Sequence, residues 1–205
     1  MALLAYAAAF SFAYIQLDAG VGALLLFGAV QISMLAWGFY RGERLSPLTG
    51  AGLLLALAGM LALLLPGASA PALGSALLML LAGAAWGAYS LLGRGIADPL
   101  AATAGNFLRA VPLALLVSAL LLSRLSWDVP GLIYALTSGI GYAIWYTALR
   151  GLRAFQAATV QLSVPILAAL AGSLLLDEAL SLRLLLSAVA VLGGIALVLG
   201  AKQRA

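Results

Sequence analysis

The chain has 205 residues, of which 65% are hydrophobic and 8% charged, with a formal net charge of +4. A soluble domain of this length cannot bury so much apolar surface. The composition therefore defines an integral membrane protein, and its spans are helices, because lipid offers backbone polar groups no other partner. Cys and His are both absent, which excludes disulfides, zinc sites, thiol nucleophiles and histidine bases, so neither metal nor cofactor is expected.

Eight apolar segments follow in chain order, at roughly 2–16, 20–40, 46–65, 72–92, 100–122, 129–149, 155–176 and 181–200. Most are long enough to cross about 30 Å of hydrocarbon at about 1.5 Å per residue. The breaks between them carry helix punctuation. Ser46-Pro47 and Asp98-Pro99 read as an N-cap followed by proline at the first helical position, and Asp128 and Ser181 are further cap candidates. The stretch Pro66-Gly67 to Pro71 is the longest uncharged break and is read as the joint between two halves, 1–66 and 71–201.

An even number of spans places both termini on one side. If that side is cytoplasmic, Arg41, Arg44, Arg94, Arg150, Arg153, Lys202 and Arg204 fall inside and Arg124 and Arg183 outside. Seven against two is a positive-inside bias, so the net charge reports topology and no nucleic-acid partner is expected. Nine Arg against one Lys, with abundant Ala, Leu and Gly, point to a GC-rich bacterial genome and hence to the inner membrane.

The chain also repeats itself. Residues 5–64 align without a gap onto 140–199, an offset of 135, with thirteen of sixty positions identical. Glu43-x-Leu45-Ser46 against Glu178-x-Leu180-Ser181, each followed in register by Gly59 or Gly194, is the informative part. The offset crosses five segments, an odd number, so the copies have opposite orientation, as in inverted-repeat transporters. Basic residues change ends accordingly: Arg150 and Arg153 correspond to Ile15 and Asp18, and Arg41 and Arg44 to Leu176 and Ala179. The second half holds five spans and the first three, so the chain is expected to begin inside the third helix of a ten-helix plan.

This pattern resembles the EamA-type branch of the drug/metabolite transporter superfamily. The matching stretches are Gly42-Glu43-Arg44-Leu45-Ser46 leading to Gly59, Asp177-Glu178-Ala179-Leu180-Ser181 leading to Gly193-Gly194, Ala84-Ala85-Trp86-Gly87, Asn106-Phe107-Leu108-Arg109, and Tyr146-x-Ala148-Leu149-Arg150 followed by Pro165. The resemblance implies an all-α polytopic bundle of two inverted five-helix repeats, the first here reduced to three, with both termini cytoplasmic. It also implies transport, commonly outward, of metabolites such as amino acids, or of drugs.

Candidate site residues are the polar and aromatic groups inside spans. Arg109 lies well within one, where a central Arg costs about 2.5–3.5 kcal/mol on insertion scales, so it must pair, face water or snorkel. Facing water, it would meet an anionic solute group together with Asn106 on the same helix face. Gln31 and Gln161 need partners that lipid lacks, either another helix or a solute. Trp86 and Tyr89 share one helix face, as do Tyr142, Trp145 and Tyr146. Such rings serve either a solute cavity or core packing.

Glu43 and Glu178 are read as structural acids at helix N-termini, and Gly83-x3-Gly87 as a close helix contact, either within the bundle or in a homodimer. Pro112 and Pro165 are candidate helix breaks. No nucleophile–base pair, carboxylate pair or metal cluster stands in the spans, so no enzyme is expected. The sequence thus points to export of small solutes across the lipid bilayer by alternating access, the other reading being a truncated, non-transporting membrane scaffold.

Overall fold

The computed structural model describes residues 1–66, 68, 70–120, 129–175 and 181–201, with backbone alone for 130 and 172–175. Asp128, Asp177, Glu178, Arg124, Lys202 and Arg204 lie outside the described residues. Those described fold into helices α1 (Ala2–Ala13), α2 (Ala19–Tyr40), α3 (Pro47–Leu64), α4 (Leu73–Gly93), α5 (Pro99–Leu120), α6 (Val129–Leu149), α7 (Ala154–Gln161), α8 (Ser163–Leu175) and α9 (Leu182–Gly200). Seven stretches are long and apolar enough to span a membrane: α2 to α6, the α7–α8 pair and α9. With 12 residues, α1 covers about 18 Å and is shorter than a full crossing.

Three of the expected caps are formed. The Thr49 amide donates to Ser46 Oγ at 3.1 Å and the Leu184 amide to Ser181 Oγ at 3.1 Å, while the Ala101 amide donates to Asp98 Oδ1 at 3.0 Å. The apolar segment expected at 155–176 is broken at Leu162. Pro165 has no N–H for the Gln161 carbonyl four residues earlier, the Leu162 amide turns back to Thr159 at 3.0 Å, and the Ser163 hydroxyl bonds the Val160 carbonyl at 2.8 Å. Pro112, by contrast, sits within an uninterrupted α5.

Helix α3 packs chiefly on α9 through small residues. A Cβ on Gly52 would lie 2.6 Å from the Gly194 carbonyl oxygen, and one on Gly59 would lie 3.0 Å from that of Ser187. The offset of 135 carries Gly52 to Ser187 and Gly59 to Gly194, so these two contacts are exchanged by the repeat. Ala56 and its counterpart Val191, both fully buried, lie at the centre of the crossing. Gly83 and Gly87 of α4 meet Leu26, Ala29 and Ser33 of α2, which places the Gly-x3-Gly contact inside the bundle. Helices α5 and α6 stand at its edge, exposed along most of their length.

One polar junction ties three loops together. The chain leaves α2 through Gly42, whose φ of 76° is open to glycine at little cost. The Gly42 amide bonds the Phe39 carbonyl and the Glu43 amide that of Gly38, each at 2.9 Å, a Schellman turn. Thus turned, Glu43 caps a helix far along the chain: its carboxylate accepts from the amides of Ala154 at 3.0 Å and Phe155 at 3.3 Å, at the start of α7. Arg94 Nη2 donates to the same carboxylate at 3.2 Å, and its Nε to the Leu152 carbonyl at 3.1 Å. Glu43→Ala is expected to destabilise the protein by about 2 kcal/mol, since it leaves Arg94 and two amides unpaired, and Glu43→Gln by less. Thermal unfolding of the detergent-purified protein checks this; equal losses for both variants would assign the effect to packing.

Candidate functional site

Two cavities lie at opposite ends of α1. The first, about 550 Å³, is bounded by the start of α1, the end of α4 and the first half of α5. Its polar lining comes from Tyr89, Asn106, Arg109 and Tyr146. The second, about 720 Å³, is bounded by the rest of α1, the start of α2, the middle of α6 and the α7–α8 break. Trp86, Tyr142, Trp145 and Gln161 line it, with Tyr6 and Phe10.

A layer of aromatic rings stands between the two. Helical spacing places Trp86 and Tyr89 on one face of α4, stacked with centroids 5.6 Å apart. Tyr142 of α6 meets both edge-on, at 5.2 Å from Trp86 and 5.8 Å from Tyr89, and Tyr146 lies 4.6 Å from Tyr89. Each edge-to-face pair contributes about 0.5–1.5 kcal/mol beyond its buried area.

Hydrogen bonds fix the rings. Trp86 Nε1 donates to Gln161 Oε1, so the α7–α8 break holds the indole through a side chain at its edge. Gln161 Nε2 in turn reaches Met34 Sδ at 3.0 Å, a weak acceptor. Trp145 Nε1 donates to Ser90 Oγ at 3.0 Å, and the Tyr146 hydroxyl to the Tyr89 carbonyl at 3.1 Å. Asn106 Nδ2 lies 3.5 Å from that hydroxyl, at the limit of a hydrogen bond.

The expected site residues therefore divide. Tyr89, Asn106 and Arg109 face the first cavity, and Trp86, Tyr142, Trp145 and Gln161 the second. Gln31 lines neither cavity; it is 3% exposed and donates to the Ala158 carbonyl of α7 at 2.6 Å. Sequence reasoning passed over Tyr6 and Phe10. Tyr6 lies 4.8 Å from Trp86, and the signal was present as Tyr6, Phe10 and Tyr14 at four-residue spacing on α1. Phe107, 5.3 Å from Tyr142, was visible only as part of a motif.

Arg109 sits ten residues after Pro99, about 15 Å along the helix axis. A Cβ on Gly105 would come within 3.0 Å of its Nη1. The side chain therefore lies back over the glycine toward the start of α5, the direction in which helical side chains lean. Among the described residues the only ion pair is Arg94–Glu43, so the guanidinium meets no carboxylate there.

Comparison with known proteins agrees with this architecture. The EamA-like transporter family matches residues 73–200. The uncharacterized protein PA1977 of Pseudomonas aeruginosa is 63% identical over 203 residues, covering 97% of this chain and 71% of that protein. A protein of known crystal structure superposes with a TM-score of 0.78 at 20% identity, over 97% of this chain and 74% of that one, a likeness of fold. The chain belongs to the EamA-like transporter family, a multi-pass membrane protein of a class that moves small solutes.

Proposed function

We propose that the protein carries small metabolites, amino acids or related solutes among them, out of the cell by alternating access. The observation that supports this reading is the aromatic layer of Trp86, Tyr89 and Tyr142 between two cavities at opposite ends of α1. A solute held at the layer by Trp86, Tyr89, Tyr142 and Trp145 is within reach of Asn106 and Arg109 on one side and Gln161 on the other. Gln31 holds α2 to α7 and leaves the solute to the others. The two repeats, 1–66 and 71–201, exchange shapes across a pseudo-two-fold axis in a bacterial inner membrane, with both termini cytoplasmic.

The chain contains no cysteine, so single cysteines report access directly. A cysteine at Ala102 in the first cavity is expected to react with a membrane-impermeant maleimide only from the cytoplasmic side, and one at Ala23 in the second only from the outside. Saturating transported solute is expected to change both rates in opposite senses. Labelling of both positions from the same side would overturn alternating access.

A further inference from the structure

Among the described residues the first cavity is lined by groups that donate hydrogen bonds and by no acid. These are the guanidinium of Arg109, the amide of Asn106 and the hydroxyls of Tyr89 and Tyr146. Arginine offers five donors and no acceptor, and here it has no carboxylate partner among the described residues. Gly105 leaves the space in which the guanidinium lies.

Two buried hydroxyls, one in this lining and one on α5 outside it, are also unused. Tyr89 is 3% and Thr103 4% exposed, and neither Tyr89 OH nor Thr103 Oγ1 makes a hydrogen bond. A buried hydroxyl without a partner is unfavourable, and for Tyr89 an acceptor in the cavity relieves it. Tyr89 belongs to the cavity lining, and Thr103 stands one turn before Asn106 on α5. The remaining wall is apolar, formed by Leu3, Leu92, Ile96 and Leu113.

From this arrangement we infer that the first cavity is a binding site for an oxyanion, a carboxylate or phosphate group, that carries an apolar tail. The oxyanion accepts from Arg109, in the bidentate geometry that guanidinium favours, and from Asn106 and the Tyr89 hydroxyl. The tail lies against Leu92, Ile96 and Leu113. A primary ammonium would meet the like charge of Arg109 and, among the described residues of the lining, no carboxylate. The same chemistry is offered by a soluble carboxylate and by an anionic lipid headgroup. This inference rests on the proposed transport reading for its biological meaning, but the site itself is tested by equilibrium binding.

The experiment compares hexanoate, hexanol and hexylammonium, which share a tail and differ in charge, by calorimetric titration into the protein in phosphatidylcholine nanodiscs. Hexanoate is expected to bind at least about tenfold more tightly than either of the others, the weight of one or two charge-assisted hydrogen bonds. Arg109→Gln is expected to abolish that preference, and Tyr89→Phe to weaken hexanoate binding only about threefold. Equal binding of the three probes, or a hexanoate preference that survives Arg109→Gln, overturns the inference, and the three-probe comparison on the unaltered protein needs no variant to fold. Repeating the titration with phosphatidylglycerol in the nanodisc at matched ionic strength separates the sources. Loss of hexanoate binding assigns the site to lipid headgroups, and its retention assigns it to a soluble anion. A protein that keeps the charge preference but moves no solute would defeat the transport reading alone; one that transports with no charge preference would defeat the anion site alone.

Discussion

Gly194→Leu is expected to be the most damaging single substitution in the chain. A Cβ at this position would meet the Gly52 carbonyl and lie 2.7 Å from the Ala56 amide nitrogen. These are backbone atoms, which cannot rotate aside as a side-chain tip can. The added group must push α3 from α9, and that crossing also holds Ala56 and Val191, both fully buried. Overpacking of a close helix contact costs about 3 kcal/mol or more. Gly193→Leu is the control, because nothing lies within 4 Å of the Cβ it would add. The expected result is a large drop in the unfolding midpoint of the detergent-purified protein for Gly194→Leu and almost none for Gly193→Leu. Equal behaviour of the two would mean that the α3–α9 contact is not what stabilises the bundle.

Trp86→Ala is expected to abolish transport while leaving a folded protein. The indole touches Tyr6, Tyr89 and Tyr142 with centroids 4.8, 5.6 and 5.2 Å away, and it lines the second cavity on the far side of the layer from Arg109. Its removal opens the layer and joins the two cavities. Stability falls by about 3 kcal/mol, the lower part of the range for a Trp-to-Ala change, because the site already faces a cavity on one side. Trp86→Phe separates the two roles of the residue. It keeps an aromatic ring in the layer and loses the hydrogen bond to Gln161, so transport is expected to persist at a rate lowered about tenfold. Solute flux from proteoliposomes measures both variants. Flux through Trp86→Ala equal to that of the unaltered protein would remove the aromatic layer from the transport path.

Much of the fold was legible because a membrane leaves few choices. Runs of about 20 apolar residues have to be helices, and Ser46, Asp98 and Ser181 mark their starts by hydroxyl or carboxylate caps. The break at Leu162 was half visible, since Pro165 announces a missing amide, but Pro112 announces the same and α5 continues through it. A proline alone therefore does not say whether a helix is interrupted. Glu43 was read as an acid at a helix N-terminus, and it is one; the helix is α7, 111 residues away, and no local pattern pairs them. Gln31 and Gln161 illustrate the same limit. Both are buried amides in apolar helices, yet one bonds the Ala158 backbone while the other holds an indole beside a cavity.

The self-matching contact between α3 and α9 has a mechanical consequence. Because the repeat offset exchanges Gly52·Gly194 with Ser187·Gly59, the crossing looks the same from either face of the membrane. If the two repeats swap shapes during a cycle, every helix position moves to that of its counterpart, but this crossing is carried onto itself. It would then act as a fulcrum, with the distance between Ala56 and Val191 expected to stay fixed while the rings around Trp86 rearrange, and the glycines of the crossing would tolerate the least slack.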